Sequence, residues 1–142
     1  MNNEKPSIYT KLLWLIEDGK IEPENLFDFI ELYFPTFILK DDYVFLKENY
    51  LHSEYKRLLN QKVNPEYWIN LLTVDDFFPE TTSGEKLSIQ LAQSLSKLWE
   101  LKLKNDFPSL NFIVKCLRDD EFGDCGLTFY QVKHQKNTLK TK

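Results

Sequence analysis

Arginine is nearly missing from this chain. Only Arg57 and Arg118 are arginines among 18 basic side chains; the rest are lysines, and 22 aspartates and glutamates outnumber them, leaving a net charge of −4. Arginine supplies bidentate phosphate and base contacts, and phosphate neutralisation supplies most of the affinity for nucleic acid. The composition therefore argues against a nucleic-acid partner. Histidine is as scarce, at His52 and His134, with no His-Glu-x-x-His, no Cys-x-x-Cys and no Cys/His cluster at zinc spacing. Four glycines form no phosphate-cradling loop, and there is neither a Gly-x-Ser-x-Gly elbow nor a kinase signature. No catalytic residue, metal ligand or cofactor-binding residue is assigned, and no cofactor is expected. No apolar run approaches the ~18–20 residues that cross a bilayer, and Met1–Pro6 is too polar to begin a secretory signal. The expectation is a cytoplasmic protein without a membrane partner.

What the chain does contain is apolar and aromatic bulk. Of 142 residues, 42% are hydrophobic and 15% aromatic, too many for an intrinsically disordered chain. A chain of this length typically buries roughly 68–70% of its unfolded surface, so we expect one α+β domain over 1–134 and a frayed polar tail at 135–142. The charge is uneven. Residues 1–80 hold 15 acidic and 8 basic positions, net −7, while 81–142 hold 7 and 10, net +3.

Helical signals are frequent. Ser7 caps a stripe of Ile8, Leu12, Leu13 and Ile16 that Gly19 stops. A second helix begins near Pro23, runs through Leu26, Phe29, Ile30 and Tyr33, and ends at Pro35. Asn64-Pro65-Glu66 opens a third, and Thr82-x-x-Glu85 reads as a capping box for the longest, Gly84 to about Lys104. Leu87, Leu91, Leu95, Leu98 and Trp99 mark its buried face. The segment 36–60 reads as a hairpin, Phe37–Leu39 and Tyr43–Leu46, followed by a helix from about Leu51; the rival is one helix from Asp42. Core packing is expected of Trp14, Trp68 and Trp99.

The C-terminal hairpin alternates cleanly. A turn centred between Asp120 and Glu121 places Phe112 opposite Phe129, Val114 opposite Leu127 and Cys116 opposite Cys125. Two buried reduced thiols are expected there, with a cross-strand disulfide as the alternative. Asn111 and Tyr130 fall on the other face, which would suit a partner if uncovered. The fold class is thus α+β, with about five helices, this hairpin and a second near 36–46, one four-stranded sheet being a way to combine the two.

Carboxylates cluster at Asp41-Asp42, Asp75-Asp76 and Asp119-Asp120-Glu121 with Asp124. Turn chemistry explains most such pairs, and the calcium-hand pattern is not met. Because the N-terminal half is acidic, Asp41, Asp42, Asp75 and Asp76 are the candidate contacts for a basic protein partner.

The tail Trp99-x-x-x-Leu103-x-x-x-Phe107-Pro108-x-x-x-Phe112, followed by Leu127-Thr128-Phe129-Tyr130-Gln131, resembles the ends of small uncharacterised bacterial proteins. Some of these are themselves similar to immunity proteins, which bind a toxin and block its active site. The resemblance spans about the last 45 residues, transfers no functional residue, and implies a bacterial α+β domain for which partner binding is favoured over catalysis. The alternative is a small enzyme or ligand binder with a cleft between helices and hairpin, using His52 or His134 beside a carboxylate.

Overall fold

A computed structural model describes residues 5–119 and 124–137. The chain divides into two compact units, Met1–Leu32 and Tyr33–Lys142.

The first unit carries helix α1 (Ile8–Glu17) and most of α2 (Asn25–Tyr33). Ser7 caps α1 by accepting from the Thr10 N–H at 3.1 Å, and Gly19, at φ +70°, turns the chain out of the helix. Helix α2 begins two residues after Pro23 because Asn25 accepts from the Glu22 N–H at 2.9 Å and closes a turn first. Neither helix contains a buried residue. Trp14 is 52% exposed, which corrects its expected core role: periodicity shows which residues share a face, not what covers it.

In the second unit, β1 (Phe37–Lys40) and β2 (Tyr43–Leu46) form the expected hairpin. Asp41 occupies its turn at φ 55°, a conformation that aspartate tolerates better than most residues. Helix α3 (His52–Asn60) follows, then α4 (Pro65–Ile69), the short strand β3 (Leu72–Thr73), and α5 (Thr82–Asp106). Strands β4 (Phe112–Asp119) and β5 (Asp124–Gln131) lead into a 3₁₀ turn at Val132–Asn137. The protein is thus an α+β fold with five α-helices and two antiparallel sheets among the described residues, β1-β2 and β3-β5-β4. The two hairpins do not share a four-stranded sheet. β3, two residues long, takes the second edge of β5, pairing Leu72 with Leu127 and Thr73 with Gly126.

Three further expectations are corrected. First, β4 and β5 pair Phe112 with Gln131, Val114 with Phe129 and Cys116 with Leu127, two residues away from the expected register. Both registers put the same side chains on the same face, so alternation does not distinguish them; residues 120–123 of the connection, including the expected turn centre, lie outside the described set. Second, Thr81 rather than Thr82 caps α5, accepting from the Gly84 N–H at 3.0 Å. Third, the buried line of α5 is Gly84, Ser88, Ala92, Leu95, Trp99 and Leu103, while Leu87 is 48% exposed. Small residues fill the first half of that line, and Trp99 packs edge-on to Phe129 at 6.0 Å in the second. Phe129 also meets Phe37 and Phe112, at 5.2 and 6.1 Å.

The other face of β5 is covered as well. Tyr130 is buried at 3% exposure, its ring 5.9 Å from Tyr67 of α4, so the condition for a partner surface, an uncovered face, is not met at Tyr130. A separate cluster of Phe45, Tyr55, Leu58, Val63 and Ile69, with Trp68 packed against it, joins the first hairpin to α3 and α4. The described part of the expected tail, Gln135–Asn137, lies in the final 3₁₀ turn; residues 138–142 are outside the described set.

Candidate functional site

The chemistry most worth weighing lies at the junction of the two sheets. Asn64 caps α4 by accepting from the Glu66 N–H at 3.0 Å, and Pro65 suits the first helical position. The short helix then carries Glu66, with Asn70 one turn further along, directly beneath the outer edge of β2. The carboxylate of Glu66 is fully buried. Its Oε2 accepts from the Val44 N–H at 2.8 Å and from Gln131 Nε2 at 2.7 Å. Its Oε1 accepts from the Gln131 N–H at 2.9 Å and lies 2.7 Å from His134 Nδ1. Asn70 repeats the pattern, accepting from the Leu46 N–H at 2.8 Å while donating to the carbonyls of Val44 and Phe129 at 2.9 and 3.2 Å. β2 and β5 belong to different sheets, so these two side chains supply the polar link between them.

That arrangement settles what the pair Glu66–His134 can do. A general base needs a free lone pair directed at a substrate proton, whereas Glu66 spends both oxygens on four partners inside the protein. His134 is held on its other side, with Nε2 3.6 Å from Asp42, its ring 4.6 Å from Tyr43, and its carbonyl accepting from Asn64 at 3.2 Å. The group is a structural strut. His52 is exposed and 3.1 Å from the Tyr50 hydroxyl. The sequence offered a faint sign of the strut, two polar residues four apart in an otherwise apolar segment, but Glu66 in a first helical turn reads equally well as a dipole partner.

The four candidate aspartates divide between two places. Asp41 and Asp42 form the β1–β2 turn. Asp41 accepts from the Tyr55 hydroxyl at 2.5 Å. Asp42 pairs with Lys133 at 2.7 Å, and the hydrogen bond from that ammonium holds its carboxyl below the usual carboxylate range. Asp75 and Asp76 sit in a 3₁₀ turn at Val74–Phe77 and line a half-open groove of about 720 Å³ at the amino end of α5. Glu80, Glu85 and Cys125 line the same groove. Asp75 Oδ1 is shielded from solvent with no hydrogen-bond partner among the described residues. A second groove, about 700 Å³ and mostly apolar, runs between α4 and β4, lined by Tyr67, Trp68, Leu71, Lys115, Leu117 and Gly126 among others. Neither histidine lines either groove. Among the described residues, no three His, Cys, Asp or Glu side chains are placed to hold a metal ion, and no helix is long and apolar enough to cross a membrane.

Comparison with protein-family models, curated proteins and solved structures finds no match for this chain.

Proposed function

We propose that the protein is a non-catalytic protein-binding module that takes a basic segment of a partner into the groove at the start of α5. One observation carries the reading: Asp75, Asp76 and Glu80 converge on a single concave surface, with Glu85 beside them paired to Arg118. A cleft lined by one sign of charge focuses its field and steers an oppositely charged partner. Two other features support it. The His134–Glu66 pair is consumed by packing, and Asp42 is already compensated by Lys133. That leaves Asp75 and Asp76 as the primary contacts and Asp41 and Asp42 as secondary ones. The resemblance of the tail to immunity-like proteins favours a bacterial, cytoplasmic module whose basic partner is a toxin.

The test is a titration of the intact chain with a synthetic arginine- and lysine-rich peptide at low and at physiological salt. Binding that weakens with salt and is lost in D75K/D76K supports the reading. Binding indifferent to salt, or unchanged by that charge reversal, overturns it. A toxin gene beside this one in its genome would supply the natural partner for the same experiment.

A further inference from the structure

Strand β4 is an outer strand. β5 pairs with it without interruption from Phe112–Gln131 to Asp119–Asp124, and no strand lies on its other side among the described residues. A long unpaired edge presents a row of free N–H and C=O groups to any other extended chain. Proteins usually blunt such an edge with proline, a bulge or a covering element; β4 has no proline, its ladder has no bulge, and Lys115, Cys116 and Arg118 on it are exposed. What guards this edge is charge. Lys115 shares the α4 side of the sheet with Leu117, while Arg118 is on the α5 side, 3.5 Å from the exposed Glu85. Lys115 makes no ion pair among the described residues.

The apolar groove lies alongside. Tyr67, Trp68 and Leu71 wall it, and Leu117 and Gly126 lie in its floor. Gly126 is the residue that allows the wall to close in: a Cβ there would stand 3.2 Å from the Leu72 carbonyl oxygen and 3.4 Å from Leu71 Cδ1. An added strand places alternate side chains on this side of the sheet, so its apolar residues meet the groove while its main chain bonds to β4. This is the geometry of strand addition, in which backbone bonds give affinity and side-chain pockets give selectivity.

From these features we infer that β4 is a docking edge for an extended acidic segment of another protein. The segment adds as a further strand, seats an apolar side chain against Tyr67, Trp68 and Leu71, and presents carboxylates to Lys115 and Arg118. Because those cations are three residues apart and on opposite faces, the matching acids are also an odd number of positions apart. A second copy of this chain matches the two cations poorly: the one carboxylate on β4 is Asp119, so a partner β4 carries no pair of acids three positions apart. The two surfaces adjoin, Arg118 pairing with Glu85 of the acidic groove, but they prefer opposite charge, so peptides of the two signs test the two proposals separately.

The probe is a labelled synthetic peptide of alternating valine and threonine carrying two glutamates three positions apart, with a lysine-substituted twin as control. Fluorescence anisotropy of the intact chain should show binding of the glutamate peptide only, with slowed hydrogen exchange at the β4 amides. K115E/R118E, both at exposed positions, should weaken that binding about tenfold, the scale of two exposed ion pairs, and admit the lysine peptide. D75K/D76K should leave it unchanged. Equal binding of the two peptides, no binding of the glutamate peptide, or a free chain that is already a dimer with β4 protected overturns the inference.

Discussion

His134 Nδ1 lies 2.7 Å from Oε1 of Glu66, across 68 residues of sequence, and closes the last open position on a fully buried carboxylate. The contact fastens the 3₁₀ turn after β5 to α4, and through Val44 to the first hairpin. Its neighbours are committed in turn: Gln131 Nε2 bonds both to Glu66 and to the Asp42 carbonyl.

Glu66→Gln should therefore be costly although nearly isosteric. Every partner of the carboxylate can donate, so an amide nitrogen in either position faces a donor with a donor. We expect a loss of about 2–4 kcal/mol, the scale for an unmatched buried polar or charged group, seen as a lower urea midpoint. His134→Ala should cost less, because three donors to Glu66 remain. A Glu66→Gln variant as stable as the parent would show that the strut contributes nothing.

Gly84 supports a second prediction. It is buried at the start of α5, and a Cβ placed on it would come within 2.0 Å of the Pro79 carbonyl oxygen. Alanine ordinarily stabilises a helix by about 1 kcal/mol over glycine; here the backbone of 79–81 must move to admit it. Gly84→Ala should destabilise by roughly 1–3 kcal/mol, as overpacking does, and should distort the acidic groove that Pro79 and Thr81 help to line. Thermal unfolding together with the basic-peptide titration reads both effects. A rise in Tm would mean that the approach of Pro79 is not as close as it stands.

The same residue shows where sequence reading stops. Signals carried within four or five residues were legible: Ser7 and Gly19 around α1, Asn64-Pro65 before α4, and the turn at Asp41-Asp42. The tertiary choices were not. Thr81 and Thr82 are equivalent caps until Pro79 and Gly84 meet. The leucines of α5 announce an apolar face, yet the sheet approaches along Gly84, Ser88 and Ala92, where small size permits close packing. A two-residue slip of β4 on β5 preserves every inward-facing side chain, and β3 is too short to have a period. Of the candidate contacts, composition pointed to acidic pairs, but only the fold separates Asp42, facing Lys133, from Asp75 and Asp76 in a shared groove.

Tyr55 sets the behaviour in alkali. Its ring is buried and its hydroxyl donates to Asp41. Burial first, and the adjacent carboxylate second, push the hydroxyl well above the ordinary tyrosine value of 10.0. Folding thus favours the neutral phenol. Its contribution is complete below about pH 10 and falls once the pH rises past the unfolded-state value. Urea midpoints measured from pH 8 to 12 should decline above 10 in the parent and decline less steeply in Tyr55→Phe, with Tyr43 and Tyr130, also raised by burial, supplying the remaining slope. Parallel curves for parent and variant would remove Tyr55 from this account.

The two cysteines test the β4–β5 register directly. Both are free; Cys116 is exposed and Cys125 buried. Burial raises the Cys125 thiol above its ordinary value, with the nearby Asp75 carboxylate adding to the shift, and a thiol reacts through its thiolate. A thiol reagent should therefore label Cys116 quickly and Cys125 only as the protein opens. Cys116 stands opposite Leu127, and Cys125 opposite Arg118, so the thiols are diagonal neighbours. A disulfide wants Cβ atoms about 3.5–4.5 Å apart, which directly opposed positions approach and diagonal ones exceed, at about 7 Å. Oxidised glutathione should accordingly leave the native chain without an internal cross-link, while a slip of two residues would bring the sulfurs face to face. A Cys116–Cys125 disulfide forming in the folded protein without loss of stability would mean that the strands pair in the other register.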